Sequence, residues 1–173
     1  MSDAPHHLKF KAPSTWITRF APLAPKDGPS GGMVLDLAAG GGRHARHFLD
    51  RGHPVTAVDK DVSALADLAR DERAEVVEID LEDGSPWPFP PAAFAAIVVS
   101  NYLFRPHFEG LIGSLEPGGV LLYETFARGN EAFGRPRNPD HLLTSGELLD
   151  LVRDRLQVVA YEHGDLRAHR RRP

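Results

Sequence analysis

The chain has 173 residues, a length suited to one domain, and its 42% hydrophobic and 25% charged content is ordinary for a soluble globular protein. A formal charge of -4 denies it the basic field that sequence-independent nucleic-acid binding needs, so nucleic acid is not an expected partner. Cysteine is absent, which excludes disulfides, thiolate metal sites and a cysteine nucleophile. With no signal-like start and no apolar run of about 18 residues, the expectation is a cytoplasmic protein without a membrane span.

Residues 1–32 read as an N-terminal segment in which Ser14 caps a short helix over 14–20, followed by a Pro/Gly-rich linker. A strand over 33–37 enters the turn Gly40-Gly41-Gly42. A helix over about 42–51 follows, with Ala45, Phe48 and Leu49 on one face and Gly52 at its end. Residues 54–58 form a second strand. Asp61 caps a helix with Val62, Leu65, Ala66 and Ala69 on one face, and 74–79 form a third strand. Beyond the proline-rich loop 83–91, the continuous apolar run 94–100 implies a strand buried on both faces. A helix near 106–115, a turn at 116–119 and a strand over 120–126 come next. Thr144 and Glu147 form a capping box that opens a helix to about Arg155, and 156–161 make a last strand. The domain therefore runs over 33–165, and 166–173 is a basic tail with Arg167, Arg170, Arg171 and Arg172. Strands alternating with helices predict a doubly wound α/β fold, its mostly parallel sheet flanked by helices on both faces.

In such sheets ligands bind beyond the carboxyl ends of the strands, where the strand order switches. The polar residues gather at those ends: Asp36 with the glycine turn, Asp59, Asp80, Ser100 with Asn101, and Tyr123 with Glu124. Glycine permits positive backbone angles and a close approach of main chain to ligand. Asp36 beside that turn suits an ammonium group better than phosphates. Asp59 can chelate two vicinal ribose hydroxyls through its two acceptor oxygens. Asp80 can accept from an adenine amino group, or cap the turn after its strand.

These residues resemble the class I S-adenosylmethionine-dependent methyltransferases, whose glycine motif is an acid followed by three alternating glycines. Asp36, Gly40 and Gly42 fit it, and Ala38 stands where the first glycine falls. The resemblance covers about residues 30–162 and implies a Rossmann-like methyltransferase fold, with S-adenosylmethionine as cofactor and S-adenosylhomocysteine as product. It implies that Asp36, Gly40 and Gly42 surround the methionine portion, Asp59 the ribose, and Asp80 with Leu81 the adenine. Ala38, Arg43, Lys60, Ser100 and Asn101 are further cofactor-binding candidates. More narrowly, the Trp16 region, Arg43-His44-Ala45-Arg46 and residues 124–130 resemble small bacterial methyltransferases of the tellurite-resistance type. Family members usually finish with an antiparallel strand. Residues 165–173 are polar and arginine-rich, so that strand is expected to be absent or very short, leaving an edge that a second copy in a homodimer can cover.

Methyl transfer from a sulfonium is an in-line displacement, and a base is needed only when the acceptor keeps a proton. Tyr102, His107 and Tyr123 are the catalytic candidates, for acceptor positioning or proton removal; no metal is expected. Asn101 is followed by Tyr102-Leu103-Phe104 rather than by the Pro-Pro-aromatic run of the amino-methylating nucleic-acid branch, which argues against exocyclic base amines as targets. Residues 127–143 read either as a lid whose Arg128, Arg135, Arg137 and His141 suit an anionic substrate, or as a solvated loop. His44 faces either the pocket or the surface, and Trp16 reads as a core anchor. Two other functions stay open: a non-catalytic nucleoside-binding module, and a nicotinamide-dependent oxidoreductase, because Gly40-x-Gly42-x-x-Ala45 with Asp59 also satisfies a dinucleotide fingerprint.

Overall fold

The computed structural model describes residues 12–165, and the chain divides after Thr125 into two units. The first is built on five strands, β1 (Val34–Leu37), β2 (Val55–Asp59), β3 (Ala74–Glu78), β4 (Phe94–Ser100) and β5 (Leu115–Glu124). Every pairing is parallel, in the order β3-β2-β1-β4-β5. The order reverses between β1 and β4, and a ligand crevice forms at such a point, beyond the strands' carboxyl ends.

One sheet face packs Val34, Val55, Ala57, Ala96 and Val98 against Ile17 of α1 (Thr15–Phe20) and Ala45, Phe48 and Leu49 of α2 (Arg43–Asp50). Leu35, Leu37, Ile97 and Val99 point the other way by the two-residue period of a strand and are equally buried, so both faces are covered. This is why β4 is apolar from Phe94 to Val99, every residue of it buried. Ser14 starts α1 by accepting a hydrogen bond from the Trp16 amide at 3.1 Å.

Three segments depart from the sequence reading. Residues 61–70 do not form a regular α-helix but two 3-10 turns, Ser63–Leu65 and Leu68–Arg70. Asp61 accepts from the Ser63 amide at 3.0 Å, a local bond that competes with helix, and Leu65 and Leu68 are buried while Ala66 and Ala69 are exposed. Residues 116–119 are not a free turn before the strand. They bulge within β5, whose Leu115 faces Phe94 while Val120 already faces Ala96. Residues 156–161 form no strand: Val158 is 47% and Val159 69% exposed, and β propensity without a partner edge does not make a ladder. No antiparallel strand occurs among the described residues, and the tail 166–173 lies outside them. The helix expected near 106–115 is shorter, a 3-10 turn at Arg105–His107 continuing into α3 (Phe108–Gly113).

The second unit begins with a loop closed at its neck. The Arg128 amide donates to the Leu143 carbonyl at 2.9 Å and the Leu143 amide to the Phe126 carbonyl at 3.0 Å. Arg128, Arg135, Arg137 and His141 are exposed on it. Glu147 opens α4 (Glu147–Val152) and accepts from the Thr144 amide at 2.8 Å, one half of the capping box. Among the described residues no helix is long and apolar enough to cross a membrane, and no three metal-ligating side chains are grouped.

Candidate functional site

The turn after β1 is shaped by three left-handed residues: Ala38 (φ 55), Gly40 (φ 54) and Gly42 (φ 72). Ala38 therefore adopts the conformation for which the motif ordinarily uses glycine. Gly42 is needed for a second reason, since a Cβ there would stand 2.6 Å from a Leu65 methyl and 3.0 Å from a Leu68 methyl. The turn is fixed from several sides. The Ala39 amide donates to the Val58 carbonyl at 2.8 Å, and the Gly40 amide to Asp59 Oδ2 at 2.8 Å. Arg46 donates to the Gly41 carbonyl and, through Nε and an Nη, to both oxygens of Asp67 at 2.8 and 2.7 Å. Arg46 thus clamps the turn to the 3-10 segment.

Asp36 lies on the α2 face of β1, 1% exposed, and its Oδ2 accepts from the Ala45 amide at 2.9 Å. Ala45 is the third residue of α2, so the acid satisfies one of the helix's open donors at the positive end of its dipole. Burial pushes its carboxyl up to about 7, against the opposing effects of the Ala45 bond and Arg43. Asp36, expected to suit an ammonium group, is buried in this structure and supports the turn from behind.

Asp59 ends β2 half-buried, Oδ2 accepting from Gly40 and Oδ1 from the Asp61 amide at 3.1 Å. Each oxygen keeps a second lone pair for a ligand donor. Lys60 beside it is exposed. Asp80 is exposed and takes the Glu82 amide on Oδ1 at 3.0 Å, closing its own turn. Leu81 is buried, and its carbonyl accepts from His107 Nε2 at 2.7 Å. That bond makes Nε2 the protonated nitrogen of His107, which is 7% exposed and set edge-on against Trp87 and Phe104. His107 is a bracing residue between loops, not a base open to an acceptor.

At the ends of β4 and β5 a hydrogen-bonded chain runs through five side chains. Arg43 donates to Ser100 Oγ at 3.0 Å, Ser100 donates to Glu124 Oε1 at 2.8 Å, and Ser14 donates to Glu124 Oε2 at 2.7 Å. The Ser14 amide donates to His44 Nε2 at 3.1 Å. Burial and the neighbouring Arg43 push His44 down to about 3, so it is a neutral acceptor. Arg43 and Ser100 are therefore engaged in a network the sequence reading did not anticipate. Trp16 packs partly buried against the core, with Phe20 edge-on at 4.8 Å.

Asn101 is exposed and left-handed (φ 56), its amide bonded to the Glu124 carbonyl at 3.0 Å. It turns the chain out of β4 into Tyr102. The Tyr123 hydroxyl donates to the Tyr102 carbonyl at 2.8 Å, a bond that ties the ends of β4 and β5 and gives Tyr123 a structural task. The Tyr102 hydroxyl is shielded from solvent and lies against the Glu82 carboxylate. Burial, then Glu82 beside it, then Asp80 and Asp59 all push its ionisation above the usual phenol range.

A parallel sheet in this order, with a glycine turn after β1 and an acid ending β2, is the Rossmann-like arrangement that class I methyltransferases share. A family model described as a methyltransferase domain matches residues 34–119, from β1 into the first half of β5. The ribosomal RNA small subunit methyltransferase H of Gemmatimonas aurantiaca is 32% identical over 127 residues, spanning 69% of this chain and 37% of that protein. Among solved structures, phosphoethanolamine N-methyltransferase 2 of Haemonchus contortus in complex with S-adenosylmethionine aligns with a TM-score of 0.58. It is 20% identical and covers 82% of this chain and 37% of that one. The (4+2)-cyclase SpnF aligns with a TM-score of 0.54 at 24% identity, covering 70% of this chain and 48% of that one. The chain thus spans less than half the length of these relatives.

Proposed function

We propose that the chain is an S-adenosylmethionine-dependent methyltransferase acting on a small, anionic acceptor. The observation that carries the reading is Asp59, which gathers the amides of Gly40 and Asp61 and so holds a carboxylate beside the glycine turn at the switch in strand order. In this reading Asp59 takes the ribose hydroxyls and Asp80 the adenine amino group, with Gly40, Gly42, Ala38 and Leu81 supplying main chain around them. Asp36 acts through α2. The bound donor supplies a methyl group on a positively charged sulfur, so the protein's task is to align the acceptor and exclude water.

The nature of the acceptor follows from what the three candidate bases are doing. His107 is bonded to Leu81, Tyr123 to Tyr102, and Tyr102 sits among carboxylates that oppose its ionisation. None is suited to remove a proton, so an acceptor that arrives with its lone pair free fits best: a thiolate or an oxyanion. The relative named for ribosomal RNA makes RNA the contrasting substrate to try.

Incubation with methyl-labelled donor against thiols, metalloid oxyanions, small acids and RNA tests this directly. Label transfer to a small anion with formation of S-adenosylhomocysteine is the expected result; transfer to RNA alone would refute the acceptor class. Thermal stabilisation by NADH and not by S-adenosylhomocysteine would refute the donor.

A further inference from the structure

We infer that residues 12–14 form a strap across the carboxyl end of β4, and that the donor enters and leaves only when this strap unlatches from Glu124. The inference rests on the donor assignment above and adds to it a gate that neither the glycine motif nor the strand-end acids contain.

Three bonds hold the strap at its two sides. On the side of the glycine turn, Arg43 donates to the Ala12 carbonyl at 3.3 Å and the Ser14 amide donates to His44 Nε2 at 3.1 Å. On the other side the Ser14 hydroxyl donates to Oε2 of Glu124, the last residue of β5, at 2.7 Å. β4 lies between β1 and β5 in the sheet, so a segment fastened both to the first turn of α2 and to the end of β5 passes over the end of β4. That end adjoins the reversal of strand order, where a sheet of this kind receives its ligand. Ser100 of β4 joins the same two anchors, donating to Glu124 Oε1 at 2.8 Å and accepting from Arg43 at 3.0 Å.

The strap is lightly held compared with the chain that follows it. No residue from 12 to 16 is fully buried, and the first core side chain is Ile17 of α1. Release breaks polar bonds that water can replace and uncovers little apolar surface, which is how a segment opens while the rest of a domain stays folded. The closed form needs no guest, because both oxygens of Glu124 and Nε2 of His44 find partners within the chain. Opening therefore precedes binding, and the fraction of open molecules scales the association rate of any ligand that carries the adenosyl group.

The experiment measures, by surface plasmon resonance, the association and dissociation of S-adenosylhomocysteine and of 5'-methylthioadenosine, which keeps the adenosyl group and lacks the amino-acid end. Wild type is compared with Ser14→Ala and Glu124→Gln. Each variant weakens the Ser14–Glu124 bond and should speed the association of both ligands by the same factor, about three- to tenfold. In wild type the Ser14 amide should exchange hydrogen at least about tenfold faster than the interior amides of β4, a readout that does not depend on how either variant folds. Association no faster in either variant would overturn the inference while leaving the donor assignment intact. So would a gain confined to S-adenosylhomocysteine, which would make Glu124 a contact of the amino-acid end and no gate. A Ser14 amide as slow as those of β4 would overturn it too, by showing that the strap opens only when the sheet does. Failure of the wild type to bind either ligand would overturn the donor assignment itself, and this inference with it.

Discussion

The amide of Gly40 is bonded to the carboxylate of Asp59 at 2.8 Å, so the glycine turn that follows β1 hangs from the last residue of β2. One side chain thereby serves the turn's shape and, in the proposed reading, takes the ribose of the donor. Asp59→Ala should cost about 1–3 kcal/mol of stability, since two amides lose their acceptor, and should weaken S-adenosylhomocysteine at least about tenfold. Urea denaturation and calorimetry read the two effects separately. Lost stability with undiminished affinity would reduce Asp59 to a clasp.

Ala38 carries a backbone conformation that costs an L-residue with a Cβ roughly 1–2 kcal/mol, whereas glycine at an ordinary position costs about 0.5–1 kcal/mol in lost chain freedom. Ala38→Gly should therefore stabilise the protein by about 0.5–1 kcal/mol. A lower denaturation midpoint would show that the methyl group of Ala38 packs usefully.

Asp36 makes the protein sensitive to base. Its folded pKa of about 7 lies above the ordinary carboxyl value of 3.8, so its contribution is complete below the unfolded value and is lost as pH rises through about 7. Asp36→Asn keeps an acceptor for the Ala45 amide and does not titrate. Wild-type stability measured relative to this variant should fall between pH 4 and 8, by at most about 4 kcal/mol. A flat difference would mean that the carboxyl is not perturbed.

His44 acts in the opposite direction. Its folded pKa of about 3 lies below the ordinary imidazole value of 6.5, so the folded chain binds fewer protons and stability falls as pH drops from 6.5 toward 3. His44→Gln leaves an acceptor for the Ser14 amide and should be less acid-sensitive than wild type over that window. Hydrogen exchange at Ser14 follows the bond itself; exchange that does not quicken on acidification would rule the effect out. Between pH 4 and 6.5 the two groups oppose each other, so only the variants separate them.

The parts of the site carried by neighbouring residues were legible in the sequence. The run from Val34 to Gly42 announces strand, turn and helix through apolarity followed by glycine, and β4 announces its double burial through unbroken apolarity. The Leu65–Leu68 spacing reads as helix, yet the 3-10 turns satisfy the same two leucines, and periodicity over so short a stretch does not separate the two. Residues 156–161 have strand-forming types, but pairing is a property of two segments and composition describes only one. The Ser14–Glu124 bond spans 110 residues and the Ser14–His44 bond 30, distances at which no local pattern operates. Glu124 and Arg46 could be noticed only as polar residues at a strand end and on a helix, without their tasks.

Glu124 grips Ser14 with one oxygen and Ser100 with the other, and Ser14 in turn bonds the amide of Trp16. An indole sits two residues from that latch, so a ligand that disturbs Ser100 or Arg43 is expected to change Trp16 emission without any attached dye.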